Sequence, residues 1–153
     1  MEPKHTIELR EITMENFREC IDLSVAGHQR GFVASNMYSL AEAKADGVSN
    51  PLAIYADGQM VGFTMYCFDP KSGTGYVDRL MVAAGHQGRG YGRAAMTEVI
   101  ERLRGTAGCR RIRTSFEPTN AVAEALYQSL GFRKTGEIED GEVVALLELA
   151  ETK

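Results

Sequence analysis

Apolar positions alternate with a period of two in some stretches and recur every three to four residues in others. The switches between the two patterns predict the elements. Ile7 to Ile12 reads as a first strand. Thr13 stands as the cap of a helix whose apolar positions Phe17, Cys20, Ile21 and Val25 have helical spacing, and Gly27 to Gly31 break it. Ser39-Leu40-Ala41-Glu42 has the form of a capping box, and Gly47 closes that second helix. Leu52 to Ala56, the turn Asp57-Gly58 and Gln59 to Phe68 form a hairpin pattern. Lys71 to Gly75 is a loop, and Tyr76 to Val82 an apolar-rich strand. A glycine-rich loop then runs into a helix with Met96, Val99, Ile100 and Leu103 on one face and Gly105 after it. Arg110 to Phe116 reads as a strand. Pro118-Thr119 opens a helix with Ala123, Leu126, Tyr127 and Leu130 on one side and Gly131 as its stop. Phe132 to Ile138, Asp140-Gly141 and Glu142 to Leu149 make a closing hairpin. The order βααβββαβαββ predicts a mixed α/β layer protein.

The chain has 153 residues, 44% hydrophobic and 25% charged. That suits one domain over 1–153 and excludes disorder, collagen and coiled coil. The net charge of −4 argues against nucleic-acid binding through bulk charge. Met1 to Arg10 has no apolar run and does not read as a signal peptide; Val143 to Ala150 is too short to span a membrane. Cys20, Cys67 and Cys109 lie far apart, and with no secretion signal they read as reduced thiols in a cytoplasm. His5, His28 and His86 form no ligand cluster, so no metal site is expected. Charge is uneven along the chain. Residues 1–70 hold 10 acids against 5 bases, residues 71–116 hold 3 against 9, and residues 117–153 hold 8 against 3. A basic middle suits an anionic ligand and acidic flanks a cationic one; solvated faces produce the same pattern.

The segment with the most chemistry is Gln87-Gly88-Arg89-Gly90-Tyr91-Gly92, between a strand and a helix, with Arg93 following. Its glycines let the main chain close around a ligand, and the amides and dipole of a helix start favour an anion such as a pyrophosphate. The spacing is neither GxGxxG nor GxxxxGK[ST], which excludes the dinucleotide fingerprint and the Walker loop.

Here the chain resembles the GNAT N-acetyltransferases. Gln87-x-x-Gly90-x-Gly92 after Leu80-Met81-Val82 looks like the family's motif A, and Asn120, Ala123, Tyr127, Gly131 and Phe132 look like its motif B. The resemblance runs over nearly the whole chain. It implies a mixed, mostly antiparallel sheet of about seven strands with helices on both faces. It also implies acetyl-CoA as cosubstrate and no metal. The amides of Gln87, Gly88, Arg89, Gly90, Tyr91 and Gly92, with Arg93 beside them, would then hold the pyrophosphate. Leu80, Met81 and Val82 would pair with the pantetheine arm like an added strand, with Asn120 and Ala123 against the same arm. Tyr127 would be the general acid at the thioester sulfur. Without the motif, Tyr127 reads as a core aromatic and Asn120 as a helix cap.

A second resemblance, to the spermine/spermidine N-acetyltransferase branch, rests on Gln29, Phe32-Val33-Ala34-Ser35-Asn36, Ser39 to Ala43 and Tyr76-Val77-Asp78-Arg79-Leu80-Met81-Val82. It implies a polyamine acceptor and an acceptor wall containing Gln29 and Phe32. A polycation needs spaced carboxylates. Glu42, Asp78 and Glu117 are the candidates, with Glu137, Glu139 and Glu142 behind them. Asp78 is the first choice as general base and Glu117 the second. Tyr76 stands where several relatives carry a glutamate base, so no base transfers directly from the family. Arg110, Arg111 and Arg113 read as a charge-defended strand edge ahead of a contact to the 3′-phosphate of CoA. Another amine acceptor (amino acid, aminoglycoside or protein amine) and a non-catalytic acyl-CoA-binding module are the competing readings. Dimers are common in the family, which makes a homodimer through the final strand's edge one expectation.

Overall fold

The computed structural model describes residues 6–149. The two ends of the domain expected over 1–153, including Ala150, lie outside the described residues. The elements follow in the order expected: β1 Ile7–Glu11, α1 Phe17–Asp22, α2 Asn36–Asp46, β2 Asn50–Ala56, β3 Gln59–Asp69, β4 Thr74–Val82, α3 Tyr91–Arg104, β5 Arg111–Phe116, α4 Ala121–Ser129, β6 Arg133–Glu139 and β7 Glu142–Glu148. The seven strands form one sheet in the order β1-β2-β3-β4-β5-β7-β6. Every neighbouring pair is antiparallel except β4 and β5.

Alternation along the strands feeds two apolar layers. Leu52, Ile54 and Ala56 of β2 point into the layer built with Ala95, Met96, Val99 and Leu103 of α3 and Tyr127 of α4. Ala53 and Tyr55 point the other way, to Cys20 of α1 and Ala43 of α2. Both faces of the sheet are thus covered by helices, as expected. The two hairpins turn through Asp57-Gly58 and Asp140-Gly141, all four residues at positive φ. That is the geometry two-residue turns need to match strand twist.

Two features of β4 make the site. Its ladder with β3 passes from Met65↔Arg79 to Tyr66↔Val77, leaving Asp78 as an extra, bulged residue. Its parallel ladder with β5 runs only from Thr74↔Arg111 to Val77↔Thr114, although β4 continues to Val82. Beyond Val77 the two strands diverge while β5 stays paired with β7 to Phe116↔Val143. The sheet opens in its middle.

Several expectations are corrected. Helix α2 starts a turn earlier than its capping-box pattern suggests. Ser35, with extended φ and ψ, accepts from the Tyr38 amide, while Ser39 is fully buried inside the helix. Thr13 does not cap α1; it opens a turn, and the helix begins at Phe17 and ends before Val25. Strand β5 is no edge but lies between β4 and β7. Its Arg111 and Arg113 are instead tied by ion pairs to Glu148 and to Glu137 and Glu139. The final strand is no edge either, because β6 pairs outside it.

Candidate active site

The opening between β4 and β5 widens into a cavity of about 800 Å³. Its floor is the end of β4 left unpaired on its β5 side, with Asp78, Arg79, Leu80, Met81 and Val82. The glycine loop and start of α3 form one end, through Gln87, Gly88, Gly90, Tyr91, Gly92 and Arg93. Asn120, Ala123 and Tyr127 of the α4 region and Glu117 close the other side, and Gln29 and Phe32 come from the segment between α1 and α2. Of the residues singled out in the sequence, Arg89 and Glu42 are not in the wall. Arg89 is exposed on the loop, and Glu42 sits behind it, 3.4 Å from Arg79. Thr114 and Ser115 line the cavity although no sequence signal singled them out, and Arg79, present in the sequence only as part of the resembling strand around Asp78, lines it too. Glu142 also lines it, whereas Glu137 and Glu139 pair with Arg113 outside.

The loop has the backbone features that favour an anion. Gly88 and Gly90 have φ of +79° and +83°, a region costly to side-chain-bearing residues, and a Cβ at either would meet nothing within 4 Å. The cap position of α3 is Gly90, which has no side chain to satisfy the helix's first amides. The first turn of the 14-residue helix, Tyr91, Gly92 and Arg93, lines the cavity, and the positive end of its dipole favours an anion there. The Gln87 side-chain Nε2 donates to Val82 O at 2.9 Å and to Gln29 Oε1 at 2.6 Å, tying the loop to both β4 and the segment between α1 and α2. The Ala84 amide donates to Ser24 O, a second tie to that segment.

Tyr127 is 7% exposed and sits between Phe116 and Phe132, with ring centroids 5.9 and 5.6 Å away. Burial raises its phenol above the usual value, against a hydrogen bond with Thr114 that lowers it. At neutral pH it is a protonated donor. Asn120 caps α4 by accepting from the Ala123 amide at 3.1 Å, so the helix-cap reading holds, and it lines the cavity as well. The cap uses Oδ1, which leaves Nδ2 as the side chain's donor group.

Asp78 is open to solvent within the cleft but walled by protein. Desolvation is the largest influence and raises its carboxyl, the Arg79 cation opposes this, and Glu42 and Asp46 add to the rise. A carboxylate shifted toward neutrality is a stronger base than an ordinary aspartate. Among the described residues no cysteine lines the cavity. Burial pushes the Cys20 thiol up to about 11, and burial with the Asp78 charge pushes Cys67 up to about 12. Neither is a thiolate nucleophile at neutral pH. No group of three or more His, Cys, Asp or Glu among the described residues could hold a metal, and no helix among them is long and apolar enough to cross a membrane.

Comparison with known proteins bears on this geometry. The sequence profile of the Acetyltransferase (GNAT) family matches residues 7–132. A spermine/spermidine N(1)-acetyltransferase from Bacillus subtilis (strain 168) is 32% identical over 151 residues, covering 94% of this chain and 99% of that protein. Among solved structures, the PaiA N-acetyltransferase of Thermoplasma acidophilum in complex with coenzyme A superposes with a TM-score of 0.72 at 15% identity, over 94% of this chain and 99% of that one. The aminoglycoside acetyltransferase AAC(6')-Ib in complex with coenzyme A superposes with a TM-score of 0.78 at 17% identity, over 94% and 95%.

Proposed function

The chain belongs to the acetyltransferase (GNAT) family, and on that premise we propose that it moves the acetyl group of acetyl-CoA to a primary amine of a polyamine, by direct attack in a ternary complex. The observation that carries the acceptor class is the cluster of carboxylates. Asp78, Glu117 and Glu142 share the wall of one cavity with Tyr127. Glu42 and Asp46 stand close enough behind to influence Asp78. Such a field attracts a polycation. The 32% identical Bacillus relative, named for spermine and spermidine, supports the same class.

In this reading, Gln87, Gly88, Arg89, Gly90, Tyr91 and Gly92 present amides to the pyrophosphate, with Arg93 beside them. Leu80, Met81 and Val82 offer the unpaired side of β4 to the pantetheine arm, with Asn120 and Ala123 against it. Gln29 and Phe32 line the acceptor's approach. Free alkyl amines have pKa values near ~10.4, so the acceptor arrives as an ammonium. Asp78 takes its proton, directly or through a water, and Glu117 binds the cation. The amine nitrogen then bonds to the thioester carbon, the carbon–sulfur bond breaks, the Tyr127 hydroxyl protonates the leaving thiolate, and the second proton leaving the nitrogen returns through solvent to the Tyr127 phenolate. The protonated thiols of Cys20 and Cys67 support direct transfer over an acyl-cysteine route. The locale expected from reduced thiols is a cytoplasm.

The test is CoA release from acetyl-CoA with spermidine, spermine, putrescine, lysine and monoamines across ionic strength. KM for spermidine should rise with salt as the ~10 Å Debye length at 0.1 M shortens. Monoamines that work as well as spermidine, with no salt effect, would overturn the polyamine assignment.

A further inference from the structure

The bulge in β4 is held by side chains at three consecutive carbonyls. Thr114 Oγ1 donates to Val77 O at 3.1 Å, Arg79 Nη1 donates to Asp78 O at 2.9 Å, and Thr64 Oγ1 donates to Arg79 O at 2.8 Å. Arg79 is the member that reaches out of the sheet. Its Nε donates to Ser39 Oγ at 3.1 Å and its Nη2 lies 3.4 Å from Glu42 Oε1, both on α2. Ser39 and Thr64 are fully buried, so this end of the network has no water to replace a lost partner.

The bulge also has a directional effect. Val77 belongs to the α3 layer and Met81 to the α1–α2 layer, with Leu80 and Val82 packed on the former. Asp78 meets Cys67 at 3.8 Å and Arg79 meets α2, so two consecutive side chains share one face. An unbulged strand would send them to opposite faces. The guanidinium is thereby kept beside the Asp78 carboxyl while gripping the Asp78 carbonyl.

We propose that Arg79 is a positioning residue for acetyl transfer, clamping the bulged Asp78 backbone to helix α2 so that its carboxyl stands in the acceptor end of the cavity. The inference rests on the assignment of Asp78 as base. The clamp has two separable parts. The fork of donors fixes the backbone, and the charge favours the ionised carboxylate against the desolvation of the cleft. The groups facing Asp78 are Arg79 on its own strand, Glu42 and Asp46 from α2 and Cys67 from β3. Glu117 and Glu142 share the cavity wall. Arg79 is the cation among those that influence it.

The experiment measures kcat and the acid limb of kcat/KM against pH for Arg79→Met, Arg79→Lys, Ser39→Ala and Asp78→Asn, with melting curves for each. Arg79→Met should move the acid limb to higher pH, since losing the cation raises the carboxyl, and lower kcat about 10-fold or more through misplacement. Arg79→Lys keeps the charge without the fork, so the limb stays while kcat falls. Ser39→Ala leaves every charge in place and should lower kcat with no shift of the limb. An acid limb that keeps its wild-type position in Asp78→Asn, instead of moving up toward the amine's own ionisation, refutes the base assignment and the clamp with it. A limb that Asp78→Asn moves but Arg79→Met leaves in place refutes the role of Arg79 alone. If Arg79→Met does not fold, wild-type kcat in both Arg79→Lys and Ser39→Ala overturns the proposal.

Discussion

Gly62→Ala tests how closely the cofactor strand is fitted to its neighbour. Gly62 of β3 stands opposite Val82 of β4, and a Cβ there would lie 2.3 Å from the Met81 carbonyl oxygen. It would also lie 3.2 Å from Ile54 Cδ1 and 3.3 Å from Val82 Cα. Real Cβ atoms keep at least 3.0 Å, so the backbone must yield by about 0.7 Å or more. The obstacle is main chain, not the end of a flexible side chain, and the core on both sides is close-packed. Overpacking of this kind costs about 1–3 kcal/mol. In a domain of this size, each kcal/mol lowers Tm by roughly 2–4 °C, so a loss of about 2–12 °C is expected. The displaced atoms belong to Leu80–Met81–Val82, the segment assigned to the pantetheine arm. A shift of this size should also cost about 10-fold or more in kcat/KM for acetyl-CoA. The assay pairs thermal denaturation with steady-state kinetics at varied acetyl-CoA. Gly27→Ala is the control, since its Cβ would meet nothing within 4 Å and its φ is not in the left-handed region. It should change stability by less than about 0.5 kcal/mol or raise it slightly. A Gly62→Ala protein with wild-type Tm and wild-type kcat/KM would refute the reasoning.

Tyr127→Phe keeps the ring between Phe116 and Phe132 and deletes the proton donor. kcat should fall about 10²-fold with acetyl-CoA affinity little changed, and turnover near wild type would assign thiolate protonation elsewhere. Gly90→Asp places a negative side chain at φ +83° where the anion is expected. Calorimetric CoA binding should weaken sharply in a folded protein, and unchanged affinity would remove the loop from the cofactor site. Asp78→Asn separates stability from activity. The native carboxyl is raised, chiefly by desolvation, so its ionised form weakens the fold once pH rises through the native pKa. Below the unfolded value near ~3.9 both states are protonated and that effect vanishes. The variant should therefore melt higher than wild type at pH 7.5 and alike at pH 3, while losing activity; a variant that melts lower at pH 7.5 would contradict the sign.

Much of the fold was legible along the chain because its determinants are local. The period-two runs, the paired Asp-Gly turns and the apolar face of α3 each depend on neighbours within a few residues. Those elements match the expected ones to within a few positions. The glycine loop was equally readable, since positive φ at positions 88 and 90 and an uncapped helix start are properties of the segment itself. Capping was less secure. The sequence pattern puts the capping box at Ser39, whereas Ser35 caps the helix and Ser39 lies buried within it, accepting from Arg79.

The sequence by itself determined which elements form, the two apolar faces of the sheet and the residues able to meet a pyrophosphate. Tertiary structure alone decided the rest. The bases of Arg111 and Arg113 looked like an edge defence because a strand's own residues do not say which strands flank it; β7 pairs back onto β5 and leaves β6 outermost. Glu42 was a wall candidate by charge, yet Arg79 holds it behind the wall. Thr114 carried no motif and Arg79 only a place beside Asp78 in the resembling strand, because their roles arise only when distant strands and α2 meet at one bulge. That bulge has the same cause. A strand keeps strict alternation unless its partner's register forces a residue out, and the register of β3 against β4 is set by packing across the whole sheet. The opening between β4 and β5, and with it the cavity, is therefore a property of the assembled sheet.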